Sequence, residues 1–353
     1  MPLFPTRRPL GRIALALGLV LSALALQAPP VEAAAGGVPL AVGSEEPGQA
    51  LGPVLQPGRA ARIRRIVPDP EKACLAAGVH PAATAPQIAI EHAAATLGVS
   101  PVGAWLLRKA AAKQVLVCLD AATGLAAYYR AELRLIGLQA ALGAAAKAVF
   151  LAHELAHVLQ HPAYSNDRSF PVEDLLLMHR MREATAEAIA TRVLWQLRAA
   201  GRPEPWQAKL ATGYRDIARA FAEAMTGGSA GVARAGRELR ATRAAFERWF
   251  AWPERLRQYD DHMLDHVERI AHDHLGLTPP RRSLTDRFLR GIGWHAGESF
   301  LAEVRRPLTD PHYRAGISAD NSARLAAILT SGAERLASDA AKWQDGATAR
   351  PDD

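Results

Sequence analysis

Cysteine is scarce in this chain of 353 residues: two, Cys74 and Cys118, are too few for a small scaffold held by a disulfide framework. Aromatics make up only 6%, and β-branched residues are few beside abundant alanine, which favours helices over a large sheet. The charge is basic, +7, but 42 lysines and arginines are scattered among 35 acids. No arginine-rich stripe with interleaved aromatics occurs, so no nucleic-acid partner is expected. Internal repeats are lacking, which excludes a solenoid. After the N-terminal segment, no long uncharged apolar run marks a membrane span. Residues 136–152 come nearest, with Lys147 as their one charge. Their apolar content is mostly alanine and they lead straight into two histidines and a glutamate, so a buried core helix is expected. What the chain does have, 49% hydrophobic and 22% charged residues, suffices for a substantial core and one to three domains.

Residues 1–35 read as a secretory signal. Arg7, Arg8 and Arg12 form a positive start, Ile13 to Leu26 an apolar run, and Val31-Glu32-Ala33 the best cleavage match. The run is shorter than the ~20 residues of a spanning helix; a retained N-terminal anchor is the alternative. The expected location is periplasmic or secreted, with no transmembrane span in the mature chain and peripheral membrane association left open. In such a compartment Cys74 and Cys118 either pair, stabilising by ~4 kcal/mol in the chain-entropy model, or stay as two buried thiols.

Residues 36–70 read as a flexible leader, Gly- and Pro-rich at the start. A short helix is expected over 86–98, stopped by Gly98. Two β-rich runs follow, Gln114–Leu119 and Tyr128–Ile136, around a turn at Asp120–Gly124. The second alternates, with Tyr129, Ala131, Leu133 and Leu135 on one face, and the pair predicts a β-hairpin. Everything beyond reads as helix: 142–160 stopped by Pro162, 172–199 ending before Gly201-Arg202-Pro203, then 204–226, 230–250, 253–275, 284–304 and 319–342. The fold class is therefore mainly α (α+β), with a small hairpin or sheet before the helix that carries the chemistry. The expected division is a catalytic part at 71–200, a helical C-terminal region at 201–345 packing on it, and a disordered tail at 346–353.

That chemistry lies in His153-Glu154-Leu155-Ala156-His157. On an α-helix, residues four apart lie roughly 40° apart around the axis and ~6 Å along it, so both imidazoles can converge on one ion. Glu154 sits on the adjoining edge, placed to act on water at that ion without ligating it. A third ligand is needed. His161 continues the spacing but lies too far along the axis, and the pattern with Gly at 160 and His at 163 fails against Gln160 and Ala163. The next helix carries Arg182-Glu183-Ala184-Thr185-Ala186-Glu187, with Glu183 and Glu187 on one core-facing stripe, where carboxylates need cations or a metal. A competing pair, His262 and His266, sits among seven neighbouring charges, Asp265 between them included, and reads as a solvated face. His272 and His274 are candidates to line the first site from the C-terminal half.

An H-E-x-x-H helix followed by a helix bearing R-E-x-x-A-D resembles the gluzincin metallopeptidases, and bacterial domains described as metallopeptidases by pattern alone. The resemblance covers residues 146–190. It implies a zincin-like fold, one Zn²⁺ held by His153, His157 and Glu183, Glu154 as general base, and Glu187 as the acid that orients a ligand histidine. Glu187 departs from the pattern by one methylene. A peptide or protein substrate is implied, held extended against an edge strand, for which Tyr128 to Leu135 is the candidate. His161, Tyr164 and His179 are candidates for substrate or transition-state contacts. A different class of function is a non-catalytic, zinc-stabilised envelope binding or chaperone-like protein, against which the intact Glu154 argues.

Overall fold

Polar residues placed just ahead of prolines start the first long helices. The computed structural model describes residues 57–78, 82–160, 170–227, 233–272, 283–295, 298–304, 306–331 and 334. The signal segment, the tail, His161, Tyr164 and His274 lie outside them. After α1 (Pro57–Arg64), α2 (Pro70–Ala73) and β1 (Cys74–Ala76) comes α3 (Ala85–Gly98). Its cap is Thr84, whose hydroxyl accepts from the Gln87 amide while the Gln87 side chain accepts from the Thr84 backbone. Ser100 caps α4 (Pro101–Ala112) by accepting from Gly103 N, 3.0 Å away.

Three more strands, β2 (Leu116–Asp120), β3 (Ala127–Arg130) and β4 (Leu135–Gln139), complete a sheet of order β1-β2-β4-β3. The expected hairpin is replaced by a different pairing. β2 runs parallel to β4, Leu116 beside Leu135, and β3 returns antiparallel on β4's other side. The run Tyr128–Ile136 is two strands, because a 3₁₀ turn at Ala131–Leu133 ends in Arg134 at φ 47°, left-handed, and reverses the chain. Gly137 in β4 makes this packing possible: a Cβ there would lie 2.3 Å from the Tyr128 ring. The Tyr128 hydroxyl donates to Asp120 Oδ2 at 2.8 Å. Cys74 and Cys118 face each other across β1 and β2 and are bonded as a disulfide, which decides between the two alternatives for them.

The rest is helical: α5 (Ala144–Gln160), α6 (Val172–Ala199), α7 (Glu204–Leu210), α8 (Arg215–Thr226), α9 (Arg234–Phe250), α10 (Pro253–His272) and α11 (Asp286–Ile292). Two-residue strands β5 (Trp294–His295) and β6 (Glu298–Ser299), α12 (Pro311–Arg314) and a helical stretch at 319–331 follow. The class is mainly α with one small four-stranded sheet, as composition indicated. Four details differ. α1 occupies part of the expected leader, burying Ala60 and Ile63. α4 fills a stretch left unassigned before β2. The span 204–226 is two helices, and 284–304 is α11 followed by the β5–β6 pair, where Gly293 lets Leu301 approach.

α6 runs through the core. It is met by α5, α7, α8, α9 and α10, and Ala184, Ala186, Ala188 and Ala190 are fully buried along it. Small side chains on both sides of this helix let its neighbours approach closely, so polar groups it carries are forced into a dry interior. Among the described residues, no helix is long and apolar enough to cross a membrane.

Candidate metal centre

α5 buries nearly its whole circumference. Leu151, Leu155 and Val158 enter the core, and His153, Glu154 and His157 are also buried, on the side that α6 covers. Opposite them α6 presents Glu183 and Glu187, one turn apart. The Nε2 atoms of His153 and His157 lie 3.0 Å apart. Glu183 Oε2 is 3.4 Å from the first and its Oε1 3.4 Å from the second. All three side chains offer ligand atoms within 4.8 Å of one another. Among the described residues no other group of three potential ligands gathers in this way.

The outer side of each ring determines what the inner side can do. Gln160 Nε2 donates to the Arg182 carbonyl at 3.0 Å, which turns its amide oxygen towards His157 Nδ1, 2.9 Å away. His157 therefore carries its proton on Nδ1 and leaves the Nε2 lone pair facing inward. His153 Nδ1 lies 3.2 Å from Glu187 Oε1, an ion-pair contact without hydrogen-bond alignment that places a carboxylate behind the ring's outer nitrogen. Glu187 in turn accepts on Oε2 from the buried Lys209 ammonium on α7. Two imidazole nitrogens thus face one another beside a carboxylate.

Such an arrangement requires a cation. In its absence a proton serves: burial opposes a charged ring, but Glu183 and Glu187 overcome it and hold His153 up at about 10. Burial would likewise raise Glu183, yet His157 and His153 hold it well below the usual carboxylate range. A divalent ion fits the same donors. Zinc bonds of ~2.0–2.2 Å in a tetrahedron place neighbouring ligand atoms ~3.3 Å apart, close to the three separations seen here. Glu154 shares no described hydrogen bond or ion pair, and burial pushes its carboxyl up.

His179, one turn before Glu183, is 12% exposed with Nδ1 4.0 Å from Glu183 Oε1, and desolvation pulls it down to about 3, so it is neutral. Its ring lies 5.8 Å from Tyr259 and 6.1 Å from His262, both on α10. His262 itself is exposed. Asp265 pairs with Arg324. Gln160, Lys209, Tyr214 and Tyr259 were not singled out from sequence. Gln160 carried a signal, three residues after His157 on one helix; the other three carried none.

Two helices that aim imidazoles and a carboxylate at one point, beside a glutamate with no partner among the described residues, have the outline of a metal-dependent hydrolase. The chain belongs to the Putative metallopeptidase family (DUF6782), whose model matches residues 65–296 and so takes in the sheet, the two helices that carry the candidate ligands, α7 and α10. Membership points to a peptidase that uses a metal ion and acts on peptide substrates. Neither a curated protein nor a solved structure gives a significant match.

Proposed function

We propose that the protein is an exported zinc metalloendopeptidase of the gluzincin type. The observation that carries this reading is the triangle formed by His153 Nε2, His157 Nε2 and the Glu183 carboxylate, with an oxygen of Glu187 or Gln160 behind the outer nitrogen of each ring. His153, His157 and Glu183 would hold the ion, and Glu187 would orient His153. When bound, Zn²⁺ supplies Lewis acidity, making water a nucleophile near neutral pH and polarising the scissile carbonyl. Glu154 takes the proton from the attacking water on its carboxylate and returns it to the leaving amine nitrogen. Its burial and elevated pKa suit both halves of that transfer. The same unpaired, buried carboxylate counts against a binding protein that merely kept a zinc, since it costs stability and has no structural partner among the described residues.

The substrate binds as an added strand. β3 (Ala127–Arg130) is the outer strand beside β4 in the sheet order and packs beside α5, so its outer edge is the docking edge in this reading. The expected span Tyr128–Leu135 is thereby shortened, because Leu135 belongs to the inner strand β4. Export is supported by the basic, then apolar N-terminal segment and by the Cys74–Cys118 disulfide, a bond favoured in oxidising compartments.

The test uses purified protein, Glu154→Gln and Glu183→Ala, with metal content by elemental analysis and cleavage of an unfolded protein substrate. The wild type should carry one zinc and cleave. Glu154→Gln should keep the zinc and lose about 10²–10⁴-fold in rate. Glu183→Ala should lose the zinc. Equal cleavage by Glu154→Gln, or equal zinc in Glu183→Ala, rejects the assignment.

A further inference from the structure

We propose that Lys209, on a helix that carries no ligand, is a positioning residue of the metal centre, acting through Glu187 on His153. The inference rests on the metal reading above. Lys209 lies on α7, which packs on both α5 and α6, and its side chain is 1% exposed. Its ammonium binds Glu187 Oε2, while Glu187 Oε1 lies 3.2 Å from His153 Nδ1. One carboxylate therefore links a fixed cation to an imidazole whose far nitrogen faces His157 and Glu183.

The geometry gives the lysine a task beyond joining two helices. A glutamate reaches its partner through three rotatable bonds, one more than an aspartate, so a single contact to His153 leaves it free to swing. Anchoring Oε2 fixes the plane of the carboxylate and with it the direction of Oε1. The ring of His153 is then held with Nδ1 facing that carboxylate and Nε2 facing His157 and Glu183. Water is kept from the anchor by the Tyr214 ring, 4.8 Å from the ammonium, and the Tyr214 hydroxyl is itself hydrogen-bonded to Tyr259 at 2.8 Å. Helix stapling alone would be served as well by apolar side chains of similar size, because a buried ion pair is on average no more stabilising than its hydrophobic replacement.

Zinc affinity of the folded protein, measured by competition with a chromophoric chelator, tests this in four proteins: wild type, Lys209→Met, Glu187→Gln and the double variant. Thermal melting of the metal-free forms is recorded alongside. Lys209→Met and Glu187→Gln should each weaken zinc binding by roughly 10–100-fold. The double variant should bind within about threefold of Glu187→Gln, because Lys209 reaches the ligand only through that carboxylate. A lower melting temperature with unchanged affinity in Lys209→Met would show a simple clamp and overturn the proposal, as would losses that add in the double variant. Should Lys209→Met fail to fold, Glu187→Gln and the double variant decide, since their pair leaves no unpaired carboxylate. Wild-type affinity in Glu187→Gln, or a further loss in the double variant, then overturns it; a shared loss supports it. A wild type that binds no zinc would instead sink the metal reading itself, and that is measured first.

Discussion

An imidazole ligates through the nitrogen its proton leaves free, so at His153 and His157 the outer partners decide whether a metal site exists. His153, Glu154 and His157 were legible because their spacing is a property of one helix, and Glu183 and Glu187 because theirs is a property of the next. Gln160 was legible in principle by the same helical arithmetic. Lys209 was not: it meets Glu187 only because α7 folds back on α6, and no periodicity within either helix encodes that meeting. The protonation of His153 yields a measurable consequence. With its pKa held at about 10 by Glu183 and Glu187 against burial, the ring is charged in the metal-free protein at neutral pH. A divalent ion must displace that proton, so affinity should rise about tenfold per pH unit between pH 7 and 9 and level off near pH 10. The same raised pKa stabilises the metal-free fold fully below about 6.5 and is lost as pH rises through about 10. Calorimetry of zinc binding at pH 7.5, in buffers of different ionisation heat, should report about one proton released by this ring; no release would contradict the assignment of its charge.

At the scale of elements, alternation misled where a turn intervened. Leu133 and Leu135 continue the period-2 pattern of Tyr129 and Ala131, yet Leu133 is buried by the 3₁₀ turn and Leu135 by the inner strand. A two-residue period records which positions are covered, not whether the chain has reversed between them. The long helices were far more legible, α6 to the residue, because their punctuation is local: proline and glycine beyond each end. The sheet's close contact offers a direct check. Tyr128 lies on Gly137 so closely that any Cβ must displace the ring or β3. Gly137→Ala should destabilise by about 1–3 kcal/mol in denaturant unfolding, as overpacked substitutions do. In a Tyr128→Ala background the same change should cost much less, since the obstructing ring is gone. A penalty of equal size in both backgrounds would place the strain elsewhere, in the backbone of β4.

Across the whole molecule, the second half of the chain is tied to α6 through buried charge. Arg180 on α6 donates from Nε to Asp260 Oδ1 at 2.8 Å, from Nη2 to Oδ2, and from Nη1 to the carbonyls of Tyr313 and Ala315, each at 3.0 Å. One guanidinium three residues before Glu183 thus fixes α10, which carries Tyr259 and His262, and the segment around α12. Burial pushes the Asp260 carboxyl above its ordinary value even with Arg180 opposing it, so the pair is costly to bury and its return lies in where it puts α10. Removing the arginine alone should therefore be severe. Arg180→Met strands Asp260 in the core and should cost about 3–5 kcal/mol in the metal-free protein, read by urea unfolding. Arg180→Met with Asp260→Leu removes both charges and should recover most of that loss. If the pair serves to place α10, the double variant should be stable yet show altered near-ultraviolet dichroism from the Tyr214–Tyr259 contact. A double variant as unstable as the single one would mean that the carbonyls of Tyr313 and Ala315, not Asp260, are what the arginine chiefly satisfies.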